Sequence, residues 1–60
     1  MYTLTFWYSG QVLRSHDPGT ASQALKDWFE GESEGCQVIC RDKKGDVVTK
    51  GQLREVAGHA

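Results

Sequence analysis

The chain has 60 residues, of which 38% are hydrophobic and 25% charged, with a formal net charge of −1 at pH 7. This length predicts a single domain over residues 1–60. Folding buries only about 60% of the surface of so short a chain, so the core needs nearly every large apolar side chain. The charge argues against a strongly basic nucleic-acid binder and against a strongly acidic DNA mimic. Because no apolar run is long enough to span a bilayer and no signal-peptide pattern is present, we expect no membrane partner.

The first predicted element is a strand over Tyr2–Tyr8, where aromatic and β-branched residues alternate with a period of two. Ser9 and Gly10 then form a tight turn, a pattern typical of a β-hairpin. A second strand over Gln11–His16 is therefore predicted to pair back on the first.

A regular register across this hairpin pairs Phe6 with Leu13 and Trp7 with Val12. Since side chains alternate between the two faces of a strand, this register predicts that Leu13 joins Phe6 in the core. The opposite face then carries Trp7, Val12, Arg14 and His16.

After a turn at residues 17–19 comes the clearest helical pattern of the chain. Thr20 is the predicted N-cap, and Gln23 three positions later completes a capping box. Gly31 is the predicted stop just after the last helical residue. The apolar residues of this segment fall within an arc of about 140° on a helix; they are Ala21, Ala24, Leu25, Trp28 and Phe29.

Two more strands are predicted over residues 36–41 and 46–49, separated by a turn. Alternation in the first of them places Val38 toward the core with both cysteines, and places Ile39 and Arg41 on the opposite face.

The two cysteines, Cys36 and Cys40, share this strand. Their Cα atoms would lie about 13 Å apart in an extended strand, whereas a disulfide requires about 4.4–6.8 Å. With only His16 and His59 elsewhere, the spacing also lacks a zinc pattern. We therefore expect buried, reduced core thiols, no metal or other cofactor, and a cytoplasmic location.

Thr49 is a second predicted N-cap, with Gln52 as its capping-box partner. It begins a short helix through Leu53, Val56 and Ala57. Residues 58–60 are predicted to fray.

The order β-β-α-β-β with a short C-terminal helix predicts an α+β fold: a four-stranded antiparallel sheet with one main helix packed on one face. The second face then binds a partner, is covered by the C-terminal helix, or pairs with another copy as a homodimer. The expected core comprises Leu4, Phe6, Leu13, Ala24, Leu25, Trp28, Phe29, Val38 and one of Val47 or Val48.

Two groups of residues are predicted to bind a partner. Trp7 beside Arg14 has the composition of a binding hot spot. The second group, the acidic set, lies at the C-terminal end of the main helix, where the helix dipole disfavours negative charge and the sequence shows no group that compensates it. An ordinary solvated loop is the alternative interpretation of this set. Its members are Asp27, Glu30, Glu32 and Glu34.

A basic set provides an alternative, nucleic-acid-binding surface. Asp42 and Asp46 flank its lysines, which weakens this alternative. The basic set consists of Arg41, Lys43, Lys44, Lys50 and Arg54.

The sequence contains no catalytic triad pattern, nucleophile elbow, phosphate loop or metal-ligand spacing, so we predict that the protein is not an enzyme. We expect a non-catalytic protein-binding module, a small inhibitor or adaptor that docks on a larger protein or protein complex. Size alone suggests the anti-CRISPR-like class of phage and plasmid proteins. The alternative is a small nucleic-acid-binding regulator.

Overall fold

A computed structural model describes residues 2–58. Within this range the fold has four strands and two helices, in the predicted order β-β-α-β-β-α. The sheet is antiparallel throughout, with strand order β2-β1-β3-β4. This confirms the predicted α+β fold. The elements are β1 (Tyr2–Tyr8), β2 (Gln11–His16), α1 (Ala21–Ser33), β3 (Gln37–Asp42), β4 (Val47–Val48) and α2 (Lys50–Gly58).

The β1–β2 hairpin closes through the predicted two-residue turn. Ser9 and Gly10 both have positive φ, 52° and 79°, which is the combination found in a type I′ turn. This turn matches the right-handed twist of the strands, so it sets the hairpin without a longer loop.

The register of this hairpin differs from the prediction beyond its first two pairs. Trp7 pairs with Val12 as expected, but Phe6 pairs with Arg14, so Leu13 is an extra residue that forms a β-bulge. Because a strand's side chains alternate with a period of two, one extra residue moves every later side chain of β2 to the other face. The predictions that Leu13 lies in the core and that Arg14 and His16 lie on the face of Trp7 were therefore wrong. Leu13 is 59% exposed.

Helix α1 begins as predicted. The Oγ1 of Thr20 accepts a hydrogen bond from the backbone N–H of Gln23 at 3.1 Å. The side chain of Gln23 does not complete a capping box; its amide donates to Asp27 Oδ1 at 3.0 Å.

The C-terminal end of α1 lies beyond the predicted stop at Gly31. The helix continues to Ser33, and Gly35 adopts a φ of +86°, which a residue with a Cβ rarely adopts. The backbone N–H of Cys36 donates to the carbonyl of Gly31 (2.9 Å), and that of Gly35 donates to the carbonyl of Glu32 (3.0 Å). This pair of bonds is a Schellman motif, so the terminating glycine is Gly35.

Gly31 instead serves close packing between α1 and the sheet. It is buried, and a Cβ at this position would lie 2.3 Å from Cε1 of Phe6 and 3.0 Å from Cγ2 of Val38. The missing side chain therefore lets the helix approach β1 and β3.

Helix α2 begins with the complete capping box that the sequence predicts. The N–H of Thr49 donates to Gln52 Oε1 (2.8 Å), and the N–H of Gln52 donates to Thr49 Oγ1 (3.2 Å). Gly58, which was predicted to fray, belongs to the helix, while residues 59 and 60 lie outside the described residues. Neither helix of the described chain is long and apolar enough to cross a membrane.

The core lies between one face of the sheet and the two helices. Phe29, which was predicted to lie there, is 44% exposed, and of the two candidate valines Val48 packs against the core while Val47 is 59% exposed. Val38 and Leu25 are half-buried and also pack against it. The buried residues are Leu4, Phe6, Ala21, Ala24, Trp28, Cys36, Cys40 and Leu53.

Candidate protein-binding site

The two helices share one face of the sheet. Helix α2 lies along α1, and Leu53 of α2 is fully buried within the core. The C-terminal helix therefore does not cover Trp7, and one of the alternatives left by the sequence is removed. We call the uncovered side of the sheet the open face.

Apolar side chains cross this face as a diagonal band, which we call the apolar band. Val12 pairs directly with Trp7, whereas Ile39 on β3 and Val47 on β4 follow at diagonal positions of the register. Diagonal neighbours in a sheet lie about 7–8 Å apart, which large side chains can bridge. The band comprises Val12, Trp7, Ile39 and Val47, extended by the bulge residue Leu13 next to Val12, and all of these except the half-buried Trp7 are exposed.

Polar residues flank the band, and all but one of them are uncharged. By alternation the open face also carries Thr3, Thr5, Ser15, Gln37 and Arg41. Its strand positions within residues 2–58 include no carboxylate, and the guanidinium of Arg41 donates to the carbonyl of Gly45 at 2.8 Å. The open face thus carries an apolar band between polar residues and is nearly free of charge.

Strand β2 explains how this face acquires its apolar character. Its two charged or ionisable side chains point to the helix side, where the guanidinium of Arg14 lies 4.5 Å above the Phe6 ring and the His16 ring lies 5.1 Å from it. Val12 and Leu13 are correspondingly left to solvent, 52% and 59% exposed. The strand is inverted relative to the usual pattern of apolar residues inward and polar residues outward.

Trp7 carries an unsatisfied donor. Its indole Nε1 is buried and has no hydrogen-bond acceptor among the described residues. A buried donor without a partner is unfavourable by about 1–3 kcal/mol. The fold therefore leaves this N–H group available to an acceptor from outside the described residues.

Most of the acidic set is paired within the chain. Glu34 lies 2.8 Å from Arg14, and this hydrogen bond raises the pKa of the arginine further above its usual value. Asp27 lies 3.0 Å from His16, which is also on β2.

The third pair joins the two helices. Lys50 of α2 lies 3.0 Å from Glu32 of α1. The premise that nothing compensates these carboxylates near the helix C-terminus was therefore wrong, because residues of β2 and α2 supply the positive charge. That the acidic set contacts a partner stays a prediction.

The basic set is divided among three parts of the chain, the first of which, strand β3, carries Arg41. Lys43 and Lys44 lie in the β3–β4 turn, where Asp42 Oδ1 accepts the backbone N–H groups of Lys44 and Asp46. Asp42 thus organises the turn.

The rest of the basic set, Lys50 and Arg54, lies on α2 beside the exposed ring of Phe29. The Nζ of Lys50 and the Cζ of Arg54 are each 5.7 Å from the ring centroid.

The cysteines are free and buried, as predicted, with Cys36 6% and Cys40 0% exposed. Burial raises the pKa of Cys40, and the negative charge of Asp42 adds to the shift. The neutral thiol is therefore favoured and packs as an apolar group. Residues 2–58 contain no cluster of three or more His, Cys, Asp or Glu side chains placed to hold a metal ion.

A groove continues from the apolar band around the β4 edge toward the helices. Its volume is about 350 Å³, and Ile39 and Val47 of the band form part of its wall. The other lining residues are Trp28, Val38, Cys40, Val48, Thr49 and Lys50.

Sequence reasoning placed Trp7, Val12 and Ile39 on this face but missed Val47 and Leu13. Alternation had already placed Ile39 opposite the core, and this signal could have been extended across β4 to Val47. No comparable signal marks Leu13, because the bulge that exposes it leaves no recognisable pattern. Comparison with known protein families, curated proteins and solved structures gave no match. Function is therefore inferred from the residues of this chain.

Proposed function

We propose that the protein is a non-catalytic protein-binding module whose contact surface is the open face. One observation carries this proposal: a continuous apolar band crosses all four strands and is left uncovered by both helices. A 60-residue chain has few apolar side chains to spare from its core. Large apolar patches on so small a surface usually mark an interaction site.

Trp7 is the proposed anchor of the contact. Tryptophan is enriched among hot-spot residues because it supplies a large apolar area together with one hydrogen-bond donor. The buried indole N–H has no acceptor within the described chain. A partner that offers a carbonyl oxygen after a small rotation of the indole would remove this penalty, which favours binding through Trp7.

The proposed partner is a larger protein or protein complex, and the proposed role is that of a small inhibitor or adaptor. The anti-CRISPR-like class of phage and plasmid proteins is part of this proposal and is supported by size alone. A cytoplasmic location is supported by the two free, buried thiols.

The apolar band, and not the acidic set, is the proposed main contact with the partner. Pairing within the chain occupies Asp27, Glu32 and Glu34, and their partners lie on the helix side of the sheet. Such charges would act on the association rate through long-range attraction, whereas the apolar band would determine dissociation.

A nucleic-acid-binding regulator is the second candidate. The observation that favours it is the exposed Phe29 ring flanked by Lys50 and Arg54, because an aromatic ring beside cations can stack a base. Salt separates the two candidates. A complex driven by phosphate contacts weakens by orders of magnitude between about 50 and 200 mM salt, whereas an apolar protein interface changes much less.

The test is affinity capture from a lysate of the organism that encodes the chain, followed by binding kinetics on the captured protein. The immobilised baits are the parent, Trp7→Ala, and a double charge reversal, Glu32→Lys with Glu34→Lys. We expect Trp7→Ala to accelerate dissociation by tenfold or more and the charge reversal to change mainly the association rate. A partner that Trp7→Ala binds with unchanged dissociation would contradict the proposal.

A further inference from the structure

The shape of the apolar band makes the open face complementary to itself. The band runs from β2 across β1 and β3 to β4 without interruption. A two-fold axis lying in the plane of contact, either along the band or across it, lays one band on another. Two-fold symmetry is the commonest arrangement of identical subunits.

The low charge of the open face also favours a second copy of the chain as its partner. Arg41 is the charged residue among the strand positions of the open face, and it is already hydrogen-bonded to Gly45. A strongly charged partner would find no complementary charge on these strands, whereas a second neutral, apolar face meets little like-charge repulsion. The chain's own open face has that composition.

An interface of standard size also fits on a molecule this small. A specific interface of standard size buries about 800 Å² on each partner. The chain exposes 4140 Å² in total, so such an interface takes about a fifth of its surface.

Pairing through strand edges is a poorer route to association. The edge strand β2 is interrupted by the bulge at Leu13, and the opposite edge strand, β4, has two residues. Bulges and very short edge strands both hinder edge-to-edge pairing. Contact between faces, with the two sheets about 10 Å apart, avoids this obstacle.

We infer that a second copy of the chain occupies the open face when no other partner is bound, so that the free protein is a two-fold dimer. The inference rests on the proposed function in that the larger partner uses the same apolar band. Binding of that partner therefore requires the dimer to separate, and the second copy competes with it.

The experiment is sedimentation equilibrium from about 1 μM to about 1 mM, the range that detects micromolar association. We expect the average mass to rise with concentration from the 6.7 kDa of one chain toward twice that value. Val12→Lys places one ammonium on each face of the dimer and should weaken dimerisation at least tenfold. Val56→Lys on α2 is the matched control, because the two valines are 52% and 51% exposed; it should leave dimerisation unchanged.

A parent that remains a single chain over the whole range overturns the inference, as does equal weakening by the two lysine variants. Circular dichroism of each variant checks the fold, and Leu13→Ser provides a second, uncharged disruption of the band. The two proposals fail separately. A monomeric parent that captures a partner through Trp7 overturns the dimer alone, whereas a dimer that captures no partner contradicts only the larger-protein proposal.

Discussion

The two faces of this sheet are built from the same strands but have opposite environments. Leu4 and Phe6 of β1 are completely buried beneath the helices, while Thr5 and Trp7 alternate with them on the open face. Both faces carry large apolar side chains. Apolar composition therefore does not identify the core of this molecule; the position of α2 beside α1 does.

Strand β2 sharpens this contrast. Arg14 closes the edge of the covered face through its contacts with Phe6 and Glu34, and His16 does so through Asp27. The apolar residues of the same strand are turned toward solvent. A charged strand edge thus replaces apolar packing on one face and leaves apolar side chains available on the other.

The largest expected effect separates two leucines, one on each face. Leu4→Ala removes a side chain that is 0% exposed and should lower the free energy of unfolding by about 2–5 kcal/mol. In a domain whose net stability is only a few kcal/mol, most molecules would then be unfolded. Leu13→Ala, at a position 59% exposed, should change stability by no more than about 0.5 kcal/mol.

Urea denaturation followed by circular dichroism measures both leucine variants. The measurements belong at the lowest usable concentration, so that dimerisation does not contribute to apparent stability. Similar losses in the two variants would show that Leu13 packs in the core and that the bulge is wrongly placed.

The next effect concerns how closely α1 approaches the covered face. Gly31→Ala should destabilise by about 1–3 kcal/mol, although alanine is the better helix former, because the added Cβ would lie 2.3 Å from the Phe6 ring. Gly51→Ala in α2 is the control. Its Cβ would meet only Thr49 Oγ1 at 3.8 Å, an ordinary contact, so it should stabilise by up to about 1 kcal/mol. Thermal or urea unfolding that shows both variants to be stabilised would contradict the close helix–sheet contact.

The smallest effect is a pH dependence that belongs to the covered face. Burial raises the pKa of Cys40 in the folded protein, so above the unfolded-state pKa of about 8.5 the unfolded chain loses the thiol proton more readily. The contribution of the Cys40 thiol to the free energy of unfolding is therefore complete below about pH 8.5, and it declines as the pH rises toward the folded-state pKa. Cys40→Ala should be less stable throughout but should decline less steeply between about pH 8 and 10. Parallel curves for parent and variant would show that the thiol titrates as it does in water.

Much of the covered face follows from local patterns in the sequence. Thr20 and Thr49 mark both helix starts, since a cap involves residues three positions apart. The apolar arc of α1 predicts Trp28 as a buried residue. Alternation predicts Leu4 and Phe6. Each of these signals depends only on residues that are close together in the sequence.

The errors have long-range causes. Gly31 resembles a helix stop in the sequence, yet it lies inside α1. A glycine is needed there because the Phe6 ring occupies the space that a side chain would take. The acidic set appeared uncompensated because Arg14 and Lys50 belong to other elements. Phe29 was assigned to the core because its position at the edge of the apolar arc does not reveal that α2 leaves its ring exposed.

By itself, then, the sequence determined the element order, the two capped helices, the tight hairpin turn and the apolar stripe of α1, because propensity, capping and periodicity are local properties. Tertiary structure alone decided the length of α1, the faces of the β2 side chains beyond Val12, the side of the sheet on which α2 packs and the pairing of the charges. These depend on contacts between residues far apart in the chain. A single bulge at Leu13, for example, moves the later side chains of β2 to the other face of the sheet. The open face results from these contacts, because α2 packs on the other side of the sheet and the bulge leaves apolar side chains of β2 exposed.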